Sequence, residues 1–190
     1  MTRHLRTLTF AACVGAAAVV VSAQIPAGSL GGYQDLETWT REVGSVPDTE
    51  FGLGLQLKGP TGIVNTAFAA VILRRELRGT PPKFVSVTMS PSYATNPQKT
   101  LDLNLSFVLT GKDKKQTTID ASDRITAYPP GPYAPGTKAI GANSTLTADE
   151  FIKIAQAQSL RATVVGVPVQ FRPDQLKAVL ALAQKAGLVR

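Results

Sequence analysis

Residues 101–110, Leu-Asp-Leu-Asn-Leu-Ser-Phe-Val-Leu-Thr, decide the fold. Leu101, Leu103, Leu105, Phe107 and Leu109 fall at every second position, with Asp102, Asn104, Ser106 and Val108 between them. Successive side chains on a strand point to opposite faces, so this alternation puts an apolar set on one face and a mostly polar set on the other. A strand buried on both faces would read as a continuous apolar run. The pattern therefore implies an antiparallel sheet with one wet face. Gly111-Lys112-Asp113-Lys114-Lys115 follows as a turn, and a shorter strand around Thr117–Ile119 completes a hairpin.

The same period extends outward on both sides. Phe51, Leu53, Leu55 and Leu57 alternate with Gly52, Gly54, Gln56 and Lys58, and Val85, Val87 and Met89 with Ser86, Thr88 and Ser90. Residues 67–77 carry two patterns. Phe68, Val71, Ile72 and Arg75 match a helical stripe, whereas the Val-Ile-Leu run, Gly79 and Pro81-Pro82 suit a strand entering a loop; a strand is the reading taken here. Residues 36–50, with Trp39 and several charges, show no usable period. The stretch 127–145 is rich in Pro and Gly, which excludes a central strand or a helix interior.

Beyond it the grammar becomes helical. Thr147-Ala148-Asp149-Glu150 is a capping-box pattern followed by the apolar stripe Phe151, Ile154 and Ala155. Arg161–Phe171 reads as two short extended runs broken by Gly166 and Pro168. A last helix starts near Pro173, turns Leu176, Val179, Leu180 and Ala183 inward, and ends at Gly187. The expected fold class is α+β: a single domain over residues 50–190, in which an antiparallel sheet of about four to six strands, a common size, is covered by two C-terminal helices. Residues 24–49 are expected to be a partly loose N-terminal segment.

Residues 1–23 have the parts of an export signal. Arg3, His4 and Arg6 form a basic start, Leu8 to Val21 is uncharged, and Val21-Ser22-Ala23 offers a peptidase site, which predicts cleavage after Ala23 and a periplasmic or secreted bacterial protein. The apolar run is shorter than the roughly 18–20 residues of a spanning helix, so no transmembrane span is expected after cleavage. The chain has one His and one Cys, His4 and Cys13, both in this signal. The mature chain thus lacks imidazole, thiolate and disulfide, and neither a cofactor nor a metal is expected. Without Arg3 and Arg6, 18 basic residues face 13 acidic ones, a formal charge of +5. That modest, dispersed charge, with scattered aromatics, does not make a nucleic-acid footprint.

The densest charge cluster is Arg74, Arg75, Glu76 and Arg78. It is either a grip on an anionic ligand or a charged sheet edge that resists aggregation. Trp39 either stacks on a sugar or anchors the N-terminal segment by packing. These five residues are the candidate ligand contacts. Asp149 and Glu150 are explained by helix capping, and Asp120 and Asp123 by a turn. The functional expectation is a non-catalytic binding or structural module for a protein, glycan or envelope component. Its rival is a glycan hydrolase using two of Glu76, Asp102 and Asp120, which would have to stand about 5–10 Å apart across a cleft.

Overall fold

A computed structural model describes residues 36–43, 48–72, 80–91, 101–128 and 141–190. The class is α+β, and the two helices are C-terminal, α1 (Ala148–Ala155) and α2 (Pro173–Lys185). Ten strands occupy the described residues and pair antiparallel throughout, shared between two sheets. The larger sheet holds β1 (Leu36–Val43), β2 (Asp48–Gly59), β3 (Gly62–Ile72), β4 (Phe84–Pro91), β7 (Thr126–Ala127) and β8 (Ala142–Thr147). The smaller holds β5 (Leu105–Thr110), β6 (Gln116–Asp120), β9 (Ser159–Val164) and β10 (Val167–Gln170). Their spatial orders are β1-β2-β3-β4-β8-β7 and β10-β9-β5-β6.

Alternation does what the sequence implies along β2, β4 and β5. Leu53, Leu55 and Leu57, then Val85, Val87 and Met89, then Leu105, Phe107 and Leu109, are all buried in one continuous core. The inner faces of both sheets and the two helices enclose that core. Residues 62–72 form β3, as the strand reading requires, and residues 73–79 lie outside the described part.

Three expectations need correction. The decisive strand starts at Leu105, four residues later than its alternation suggests. Asn104 N–H bonds Asp102 O within a local turn, Asn104 O accepts from Val165, and the Leu105 N–H is taken by Ser122 Oγ. Leu103 is consequently 43% exposed. The Pro/Gly-rich stretch ends sooner than drawn: its last residues enter β8, an interior strand between β4 and β7. Ala142, Ser144 and Leu146 supply the period of two, and Ser144 finds its partner in Ala121 O at 3.2 Å. Finally, α2 buries Gln175 in place of Leu176 and Leu180, which stay half-exposed.

Gln175 satisfies both ends of its amide. Its Nε2 donates to Gln56 O at 3.2 Å, tying α2 to β2, and its Oε1 accepts from Arg172 N at 3.0 Å at the helix start. At the other end Gly187, with φ of 72°, lets Leu188 N–H reach Ala183 O and Gly187 N–H reach Gln184 O. This paired closure is why glycine follows the helix. The β9–β10 turn uses Val165 and Gly166, both with positive φ, 45° and 79°. A β-branched residue is strained there, and burial of the Val165 side chain offsets that strain. No helix among the described residues is long and apolar enough to cross a membrane.

Candidate functional site

Of the five residues singled out as ligand contacts, Arg74, Arg75, Glu76 and Arg78 lie outside the described residues. Trp39 stands on β1 opposite Gly52 of β2. A Cβ at position 52 would fall on the indole ring, so the absence of a side chain there gives Trp39 its seat. Trp39 Nε1 donates to Glu50 Oε1 at 2.8 Å, and Arg41 Nε donates to the same oxygen at 2.7 Å. Glu50 is only 1% exposed, and its Oε2 is buried with no hydrogen-bond partner among the described residues. Trp39 and Arg41 thus fasten the edge strand to β2 through one buried carboxylate.

Asp102, Asp120 and Glu150 each have a structural setting. Asp102 lies against the β9–β10 turn; a Cβ on Gly166 would stand 2.8 Å from Asp102 Oδ2. Asp120 Oδ1 accepts from Ser122 N at 2.9 Å, and hydrogen bonds from Ser122 keep its carboxyl below the ordinary range. Glu150 does two jobs. Its Oε2 accepts from Thr147 N at 2.8 Å, and Thr147 Oγ1 accepts from Glu150 N at 3.3 Å, which completes the capping box. Arg124 grips both carboxylate oxygens, at 2.8 and 2.9 Å, so the turn Ser122–Arg124 is locked to the start of α1.

That bidentate pair has a pH signature. Hydrogen bonding from Arg124 first, and then from Thr147, holds the Glu150 carboxyl down from 4.5 to about 2, against the burial that would raise it. A carboxyl lowered by folding stabilises the protein above its unfolded value, and the gain fades as pH falls from about 4.5 through about 2. Glu150→Gln should therefore cost about 1–3 kcal/mol at pH 7, the scale of charge-assisted hydrogen bonds at a partly exposed site. The gap to the unmodified protein should close toward pH 2. Chemical denaturation of both proteins at pH 7, 4 and 2.5 checks this, and a pH-independent gap would contradict it.

A more open constellation lies on the outer face of the smaller sheet. The registers stack its outward side chains in rows, Gln170–Arg161–Val108–Thr118 beside Pro168–Thr163–Ser106–Asp120. The β2–β3 hairpin forms a wall beside them. A Cβ on Gly59 would collide with the carbonyl of Pro168, so glycine is what lets the end of β2 close onto β10. The wall and the β10, β9 and β5 members of these rows bound a cleft of about 570 Å³, and Asp120 stands one strand beyond it, opposite Ser106. Lys58 enters from the hairpin and Arg161 from β9, with the Ser106 and Thr163 hydroxyls and the Gln170 amide around them. The described lining residues include no Asp or Glu.

Two cations with no lining carboxylate make a site for negative charge, and the hydroxyls and amide can bond the remaining oxygens of a carboxylate or phosphate. Asp102 and Asp120, the described members of the carboxylate trio, do not line it. Among the described residues, no group of three His, Cys, Asp or Glu side chains gathers to hold a metal. Arg161 and Thr163 fall in the stretch that reads as short extended runs, but nothing in the sequence gives them a shared outward face or links them to Lys58. Comparison with protein-family models, curated proteins and solved structures finds no match for this chain.

Proposed function

We propose that the chain is an exported, non-catalytic binding module that takes an anionic polymer of the bacterial envelope into the cleft of the smaller sheet. The observation that carries this reading is the convergence of Lys58 and Arg161, from two different sheets, on one cleft without a lining carboxylate. A rigid antiparallel scaffold flanked by turns is the usual way to present such contacts. The basic start, uncharged run and small residues before Gln24 support a periplasmic or secreted location. Beyond Cys13 the chain has neither His nor Cys, which favours binding over general-base or thiolate chemistry.

The test is binding of polygalacturonate and of poly-glutamate, with neutral dextran as control. Both anionic polymers should bind, more weakly as salt rises, because exposed charges are screened. The Lys58→Glu/Arg161→Glu variant should lose at least about tenfold in affinity, the equivalent of one charge-assisted contact. Both side chains are exposed, so the fold should survive the change. Equal retention of dextran, or unchanged binding by the double variant, would defeat the proposal.

A further inference from the structure

α2 buries Val179, Leu182 and Ala183, while Leu176 and Leu180 pack at the margin of the core with part of each side chain left exposed. Both leucines open into one groove. It follows a single flank of α2 from Pro173 past Leu176 and Leu180 to Gln184, about 16 Å at 1.5 Å per residue. The end of α1 and the residues after it, Ala155 to Gln158, form the opposite wall, and Val189 adds apolar surface.

The groove has a volume of about 730 Å³, inside the roughly 300–1,000 Å³ of small-molecule sites. Its charge is one-sided: Lys112, Lys177 and Arg190 all line it, and no Asp or Glu is among the described lining residues. Leu176, Leu180, Ala155, Ala157 and Val189 supply an apolar track, the amides of Gln156, Gln158 and Gln184 lie beside it, and the three cations favour an aliphatic chain that ends in an anion.

We propose that this groove binds a single long-chain carboxylic acid, its chain laid along Leu176, Leu180 and Val189 and its carboxylate met by the rim cations. The site is separate from the cleft of the smaller sheet, and either can be right without the other. Burying an aliphatic chain supplies about 0.8 kcal/mol per methylene, and the cations select the head group.

Laurate titrated into the full chain by calorimetry, below its micelle concentration, should reveal one saturable site. Dodecyl maltoside, which carries the same tail on a neutral head, should bind at least about tenfold more weakly, since it lacks the charge-assisted contact. Lys177→Glu, on an exposed position, should weaken laurate by about tenfold on the same reasoning. Leu180→Glu should abolish binding with the circular dichroism spectrum unchanged. The Lys58→Glu/Arg161→Glu protein should bind laurate normally. The proposal is overturned if laurate does not saturate, if the maltoside binds as well, or if Lys177→Glu and Leu180→Glu bind unchanged. Co-sedimentation with phosphatidylglycerol vesicles without capture of monomeric laurate would also overturn it, in favour of a membrane-surface contact.

Discussion

Phe151→Ala should lower the unfolding free energy by about 3–5 kcal/mol, the usual cost of emptying a phenylalanine site in a closed core. Phe151 is fully buried, and its ring stands 5.7 Å from that of Phe68, tilted by 42°. The pair joins α1 to the middle of β3. α1 has eight residues, too few to be stable as an isolated helix, so it persists because its apolar face is seated. Removing the ring takes away both the burial and the contact that fixes the helix on the sheet. Against a total stability of about 5–15 kcal/mol, the variant should approach the unfolding threshold at 37 °C. Phe68→Ala should cost a similar amount, and the double variant less than the sum, because both changes open one shared cavity. Urea titrations of the four proteins measure this; a loss below about 1 kcal/mol for Phe151→Ala would mean that α1 is held mainly by its cap and by Arg124.

The strands legible in the sequence are those whose large apolar residues alternate with small or polar ones. Leu53, Leu55 and Leu57, or Val85, Val87 and Met89, write their orientation into a two-residue period even though Gly52, Gly54 and Thr88 on the opposite faces are also buried. What local pattern cannot carry is which strand pairs with which. β5 lies beside β9, far along the chain, and that pairing splits the strands into two sheets. β8 was hidden by its neighbourhood, since the prolines before it colour the composition of a stretch whose last residues are free of them. Gln175 escapes the pattern for a related reason. Periodicity assigns the buried stripe to leucines, and only the three-dimensional position of Gln56 O shows that an amide is needed there. The cleft shares this difficulty, because Lys58 and Arg161 meet only through the close approach of Gly59 to Pro168.

Glu50 is the residue least visible in the sequence, and the largest electrostatic effect should be found beside it. Arg41→Met should destabilise the protein by about 3–5 kcal/mol, the penalty for leaving a buried charge without its partner. The size of the effect follows from the geometry. Glu50 is 1% exposed, Trp39 and Arg41 both donate to Oε1, and Oε2 has no hydrogen bond among the described residues, so the buried carboxylate has little to replace Arg41 with. Glu50→Gln alone should cost less, because the Arg41 side chain is 29% exposed and can hydrate. Combining the two substitutions should restore much of the loss, since no unpaired charge then remains in the interior. Trp39→Phe keeps a ring over Gly52 but removes one donor to a charged acceptor, and should cost about 1.5–3 kcal/mol. The sequence contains one tryptophan, so the fluorescence of Trp39 reports on this cluster in every variant that keeps it. Urea denaturation followed at that wavelength and by circular dichroism gives the cycle. If Arg41→Met costs no more than Glu50→Gln, or if the double variant is no more stable than Arg41→Met, the carboxylate is not the buried charge that binds β1 to β2.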